Sequence, residues 1–120
     1  MQRKIIVLGA SENVDRYSNM AVKKLAAKKY NIIAVGNKIG KIENIKIVEE
    51  LLPTHGVDTI TLYLNAQNQK KYYRNIIAIN PLRIIFNPGA ENVELEELAY
   101  KNGIKTLHAC TLVLLSTNQF

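Results

Sequence analysis

The chain has 120 residues, 48% hydrophobic and 22% charged, with a net charge of +6. That is the length and balance of one globular domain, residues 1–120, and it excludes disorder. One cysteine and two histidines exclude an internal disulfide and a zinc finger, and the apolar runs are too short for a transmembrane helix.

Residues 4–9 form a continuous β-branched run, the pattern of a strand buried on both faces. The run is too short for a signal-peptide core, so a cytoplasmic setting is expected. Residues 10–17 are polar loop. Ser18 is expected to cap a helix over 18–29, with Val22, Leu25 and Ala26 on one face. A second buried strand follows over 31–36. Residues 37–47 read as a Gly/Lys/Asn loop with alternating Ile42, Ile45 and Ile47, the spacing of a short extra strand. Residues 48–52 read as a helical turn stopped by Pro53. A third strand covers 58–64, and a helix covers 67–80 with Tyr72, Tyr73, Ile76 and Ile77 inward, ending before Pro81. A fourth strand covers 82–86. Asn92 is expected to cap a helix to 102, with Gly103 past its end. A fifth strand covers 104–108, and 110–115 is a short apolar finish.

Strands separated by helix-length segments imply parallel crossovers. The expected fold is α/β: a Rossmann-like, doubly wound, parallel five-stranded sheet ordered 3-2-1-4-5. Such sheets bind ligands beyond the carboxyl ends of their strands. That directs attention to the loops 9–18, 36–41, 65–69 and 87–92.

The charge is unevenly placed. Through Lys46 there are ten basic residues against Glu12, Asp15 and Glu43, a local +7; the remainder carries six basic and seven acidic residues. A local excess suits an anionic partner, although Lys23, Lys24, Lys28 and Lys29 also fit the wet face of a helix. No aromatic residue interleaves the basic ones, which disfavours nucleic acid.

In the first loop, Gly9 permits a tight turn and a close approach of backbone to ligand. Ala10 and Ser11 continue the turn. The following helix start, the hydroxyls of Ser11 and Ser18, and Arg16 are suited to phosphate. Only the first glycine of the G-x-G-x-x-G fingerprint is present, so a phosphate site and a structural turn both fit this loop. In the second loop, Gly36, Asn37 and Lys38 precede Lys41, and no carboxylate occurs before Glu43. A fold that used NAD would place an acid there; a lysine suits a phosphorylated ribose, as in NADP or coenzyme A.

These pieces together resemble the small stand-alone CoA-binding proteins, which are related to the N-terminal domain of the succinyl-CoA synthetase α subunit. The matching segments are Gly9-Ala10-Ser11 with Asp15-Arg16-Tyr17-Ser18, Val35-Gly36-Asn37-Lys38, Tyr63-Leu64-Asn65, Asn87-Pro88-Gly89-Ala90-Glu91-Asn92 and Ala109-Cys110-Thr111. The resemblance implies that Gly9, Ala10, Ser11, Arg16 and Ser18 hold CoA phosphates. It implies that Lys38, or Lys41 in its place, reaches the nucleotide end, and that Asn65, Asn87, Pro88 and Gly89 line the rest of the cleft. The synthetase subunit has a second domain with a phosphohistidine for which this chain has no room, so ligase activity is not implied.

His108 and Cys110 are two apart at the end of a strand, which gives a reactive thiol and a small buried residue as alternatives. His55 reads as surface. Glu91, Glu94, Glu96 and Glu97 read as a dipole-complementing helix start rather than a metal site. The expectation is a binding module for coenzyme A or an acyl-CoA, with no catalytic or metal residue and no membrane. Two alternatives stand beside it, an NADP-dependent oxidoreductase and a regulatory subunit docked on a CoA-using enzyme, and a protein partner or a homo-oligomer is left open.

Overall fold

The computed structural model describes residues 3–120. In chain order the elements are β1 (Lys4–Leu8), α1 (Tyr17–Ala27), β2 (Asn31–Val35), β3 (Gly40–Ile42), β4 (Ile45–Val48), β5 (Val57–Leu62), α2 (Ala66–Gln69), α3 (Tyr73–Ile79), β6 (Arg83–Phe86), α4 (Val93–Lys101), β7 (Lys105–His108) and α5 (Thr111–Ser116). One sheet runs β3-β4-β2-β1-β5-β6-β7, parallel throughout except for the β3–β4 hairpin.

The α/β class and the largely parallel sheet are as expected, but the described residues form seven strands and the order is corrected. Among the five principal strands, the third, β5, pairs with β1 and not with β2. The place beside β2 is taken by β4, through Ala34↔Ile47 and Val35↔Val48. With that edge filled, the chain crosses β2 and β1 and adds its next strand on the far side. The expected 3-2-1-4-5 is therefore replaced by 2-1-3-4-5 with a hairpin at the edge.

From Ile5 to Leu8, β1 is wholly apolar and buried. Ile6 and Leu8 pack on one face with Ile76, Ile84 and Leu95, while Ile5 and Val7 pack on the other with Val22, Leu25 and Leu115. Alternation with both faces covered buries every side chain, so each is either apolar, as in β1, or hydrogen-bonded, as are Thr59 and Thr61 in β5.

Three local expectations also change. Residues 49–56 form no helix; the chain there is an irregular crossover. Residues 111–116 are helical, as α5. Ser18 does not cap α1: the cap position is Arg16, in extended backbone, and Ser18 is buried within the first turn. Asn92 does cap α4, its Oδ1 accepting from Leu95 N at 3.2 Å.

Candidate functional site: a cleft at the carboxyl ends of β1 and β5

β1 and β5 lie side by side, and their crossover helices leave on opposite faces. α1 packs against α5, and α3 packs against α4. The diverging loops open a cleft of about 580 Å³ at the carboxyl ends of these two strands. That is the position at which doubly wound sheets hold ligands, and the volume lies within the usual small-molecule range of about 300–1,000 Å³.

The first loop forms one wall through Gly9, Ala10 and Ser11. Gly9 N and Ala10 N both donate to the Val35 carbonyl oxygen, at 2.8 and 2.9 Å, so the loop is tied to the end of β2. Gly9 has φ +104°, and a Cβ there would stand 3.1 Å from the backbone and Cβ of Tyr63. Gly36 serves the same close fit from the other side, since a Cβ on it would collide with the Ala10 carbonyl oxygen.

α1 begins where this wall ends. Its first turn contains no acid, and no side chain caps it. Among the described residues, Tyr17 N and Ser18 N have no hydrogen-bond partner. Arg16, Tyr17 and Ser18 all line the cleft. A cation at the positive end of a helix dipole is unfavourable on its own and favourable around an anion. Asp15 puts one carboxylate on the same rim.

The facing wall comes from Tyr63, Leu64 and Asn65 after β5. Asn65 caps α2, its Oδ1 accepting from Asn68 N at 2.9 Å. Burial pushes the Tyr63 phenol up to about 12. Its buried hydroxyl makes no hydrogen bond of good geometry, and the nearby Thr61 and Thr111 hydroxyls are bonded to each other at 2.7 Å. Pro88 and Gly89 close the far end.

Asn87 does not reach the cleft. It is 2% exposed and acts as a bracket, donating to Thr61 Oγ1 and the Leu62 carbonyl oxygen and accepting from Thr111 N. Asn37 lines the cleft, and with Gly36 it also lines a second lobe of about 350 Å³. Lys38 is exposed and lines neither space. Lys41 lies beyond, on a groove that it shares with Glu12 and Glu49; its backbone N donates to Glu12 Oε2 at 2.9 Å.

His108 contacts Glu96 and Phe86. Its Nε2 is 3.3 Å from Glu96 Oε2, and its ring meets Phe86 edge to face. Cys110 is half-buried at the start of α5. Among the described residues, no three of His, Cys, Asp and Glu gather as a metal site would require. Among the described residues, no helix is long and apolar enough to cross a membrane.

Two polar residues that hold the walls in place carry no sequence signal. Gln69 is fully buried, donates to the carbonyl oxygens of Leu64 and Ala90, and accepts from Asn92 Nδ2. Asn19 is buried in α1, and its Nδ2 donates to the Ser11 carbonyl oxygen. Long or amide side chains at such spacings ordinarily read as solvent-facing.

A largely parallel sheet with helices on both faces and a cleft at the carboxyl ends of its central strands defines a Rossmann-like α/β domain. More particularly, the chain belongs to the CoA binding domain family, whose match covers residues 3–116. It is similar to a crystal structure of an uncharacterized protein, at 42% identity and a TM-score of 0.95, covering 100% of this chain and 99% of that one. It is also similar to a conserved hypothetical protein from Pyrococcus furiosus, at 26% identity and a TM-score of 0.79, covering 92% of this chain and 97% of that one. The fold recurs in a hypothetical protein from Pyrococcus horikoshii OT3, at 19% identity and a TM-score of 0.86, covering 97% of this chain and 83% of that one. No curated protein matches the chain.

Proposed function

We propose that the cleft binds coenzyme A or an acyl-CoA, with the ligand's diphosphate on the N-terminus of α1. The observation that carries this reading is the free start of α1, with Arg16 beside it, opening into the cleft of a CoA-binding-family chain. Ser11 and Ser18 supply hydroxyls, and Gly9 lets the backbone approach the phosphates. Asn65, Pro88 and Gly89 flank the arm that leads to the thiol. Asn87 supports this wall from behind.

The role is binding, and no bond is made or broken in it. Neither His108 nor Cys110 lines the cleft. A cytoplasmic setting goes with this reading, since Cys110 would remain a thiol there.

Thermal unfolding with added ligand tests the proposal. Coenzyme A at about 100 times its dissociation constant stabilises a specific binder by roughly 2.7 kcal/mol. The melting temperature should rise with CoA and acetyl-CoA and stay unchanged with NADP. A rise with NADP alone would transfer the cleft to the oxidoreductase reading.

A further inference from the structure

We propose that Lys70 and Lys71, rather than the lysines after β2, hold the phosphate on the ribose of the ligand. This rests on the coenzyme A reading of the cleft. The second lobe shares Gly9, Asn37, Leu64 and Asn68 with the main cleft, so one elongated ligand can extend through both. With the diphosphate on α1, the lobe is the space left for the nucleoside end.

Among the residues lining that lobe, the charged ones are Lys70 and Lys71. Neither has a carboxylate within ion-pair distance among the described residues. Lys71 Nζ lies 5.1 Å from the centroid of the buried Tyr72 ring, which positions it. Both lysines also edge an open groove that contains Arg74, so three cations occur within five positions. Two unpaired cations beside a partly enclosed lobe suit a phosphate monoester.

The lysines after β2 are placed less well. Lys38 lines neither space, and Lys41 shares its separate groove with Lys46, Glu12 and Glu49, so that groove carries no net positive charge to draw a phosphate. The anion-reading pair therefore comes from the segment after β5.

Titration calorimetry with CoA and dephospho-CoA separates the cases, with circular dichroism melting to verify that each variant folds. The wild-type chain should bind CoA about ten- to hundred-fold more tightly than dephospho-CoA, as a charge-assisted phosphate contact implies. The double substitution Lys70→Ala, Lys71→Ala should remove most of that ratio and leave dephospho-CoA affinity within about three-fold. Lys38→Ala and Lys41→Ala should each preserve the ratio. A ratio that survives the double substitution and collapses in Lys38→Ala or Lys41→Ala overturns the proposal while leaving the CoA reading intact. Equal wild-type affinity for both ligands also overturns it. A wild-type chain that binds neither ligand overturns the CoA reading itself, and this inference with it.

Discussion

Asn19 reaches back from α1 to Ser11, its Nδ2 donating to the Ser11 carbonyl oxygen at 2.9 Å, while its own Oδ1 is buried without a partner. A buried acceptor left unpaired costs about 1–3 kcal/mol, and one neutral hydrogen bond returns only about 1 kcal/mol. On those magnitudes the residue does little for stability. What it does is hold the first loop against α1, next to the residues proposed to meet phosphate.

Asn19→Ala should accordingly change stability by no more than about 1 kcal/mol, because a lost hydrogen bond and a removed orphan acceptor oppose each other. Its CoA affinity should fall about ten-fold, since the loop loses its tether. Urea unfolding and calorimetry on the same samples measure both. A large stability loss with unchanged CoA affinity would make Asn19 a packing residue only.

Gly36→Ala should be costly although the added group is one methyl. The new Cβ would meet the Ala10 carbonyl oxygen, a backbone atom with little freedom to move. Overpacking of this kind costs about 1–3 kcal/mol. The urea midpoint should drop, and CoA binding should weaken as the first loop is displaced. An unchanged midpoint would show that the two loops do not pack as described.

Much of this fold is legible in the sequence, for physical reasons that differ by element. β1, β2 and β6 announce themselves as apolar runs because the sheet is covered on both faces there, whereas β5 interleaves the buried Thr59 and Thr61 and the edge strand β7 is largely exposed. The β3–β4 hairpin is half legible. Ile42, Ile45 and Ile47 alternate, but Glu43 takes φ +54° at the turn, a position where Gly or Asn would be the usual signal. The strand order is not legible locally, because it depends on β4 filling the edge beside β2. At the site, the loop after β1 and the start of α1 contribute Gly9, Ala10, Ser11, Arg16 and Ser18 to the cleft wall. Lys70 and Lys71 do not stand out, because the pattern of a helix over 67–80 makes them solvated residues until the fold brings them to Gly36 and Asn37.

The Arg3–Asp58 pair predicts the acid response of the fold. Arg3 Nη2 lies 2.7 Å from Asp58 Oδ1, and Arg3 Nη1 also donates to the Phe120 carbonyl oxygen at 2.9 Å. The hydrogen bond from Arg3 holds the Asp58 carboxyl below its ordinary value, opposed by partial burial. A carboxylate whose folded value is depressed binds its proton more readily when unfolded. Its stabilisation is therefore present above about pH 4 and lost as pH falls through the lower folded value. The melting temperature should fall below about pH 4, and Asp58→Asn should flatten that part of the curve. An identical acid slope in the variant would remove Asp58 from the account.

The central claim is that the start of α1 receives the ligand's phosphates, and backbone NMR during a CoA titration tests it most directly. The amides of Tyr17 and Ser18 lack partners among the described residues and should show the largest shifts, joined by Gly9, Ala10 and Ser11. Saturation should follow the calorimetric affinity, and Lys23 and Lys24, farther along α1, should move little. Saturable CoA binding that leaves Tyr17 and Ser18 unmoved, with its shifts elsewhere on the protein, would contradict the account.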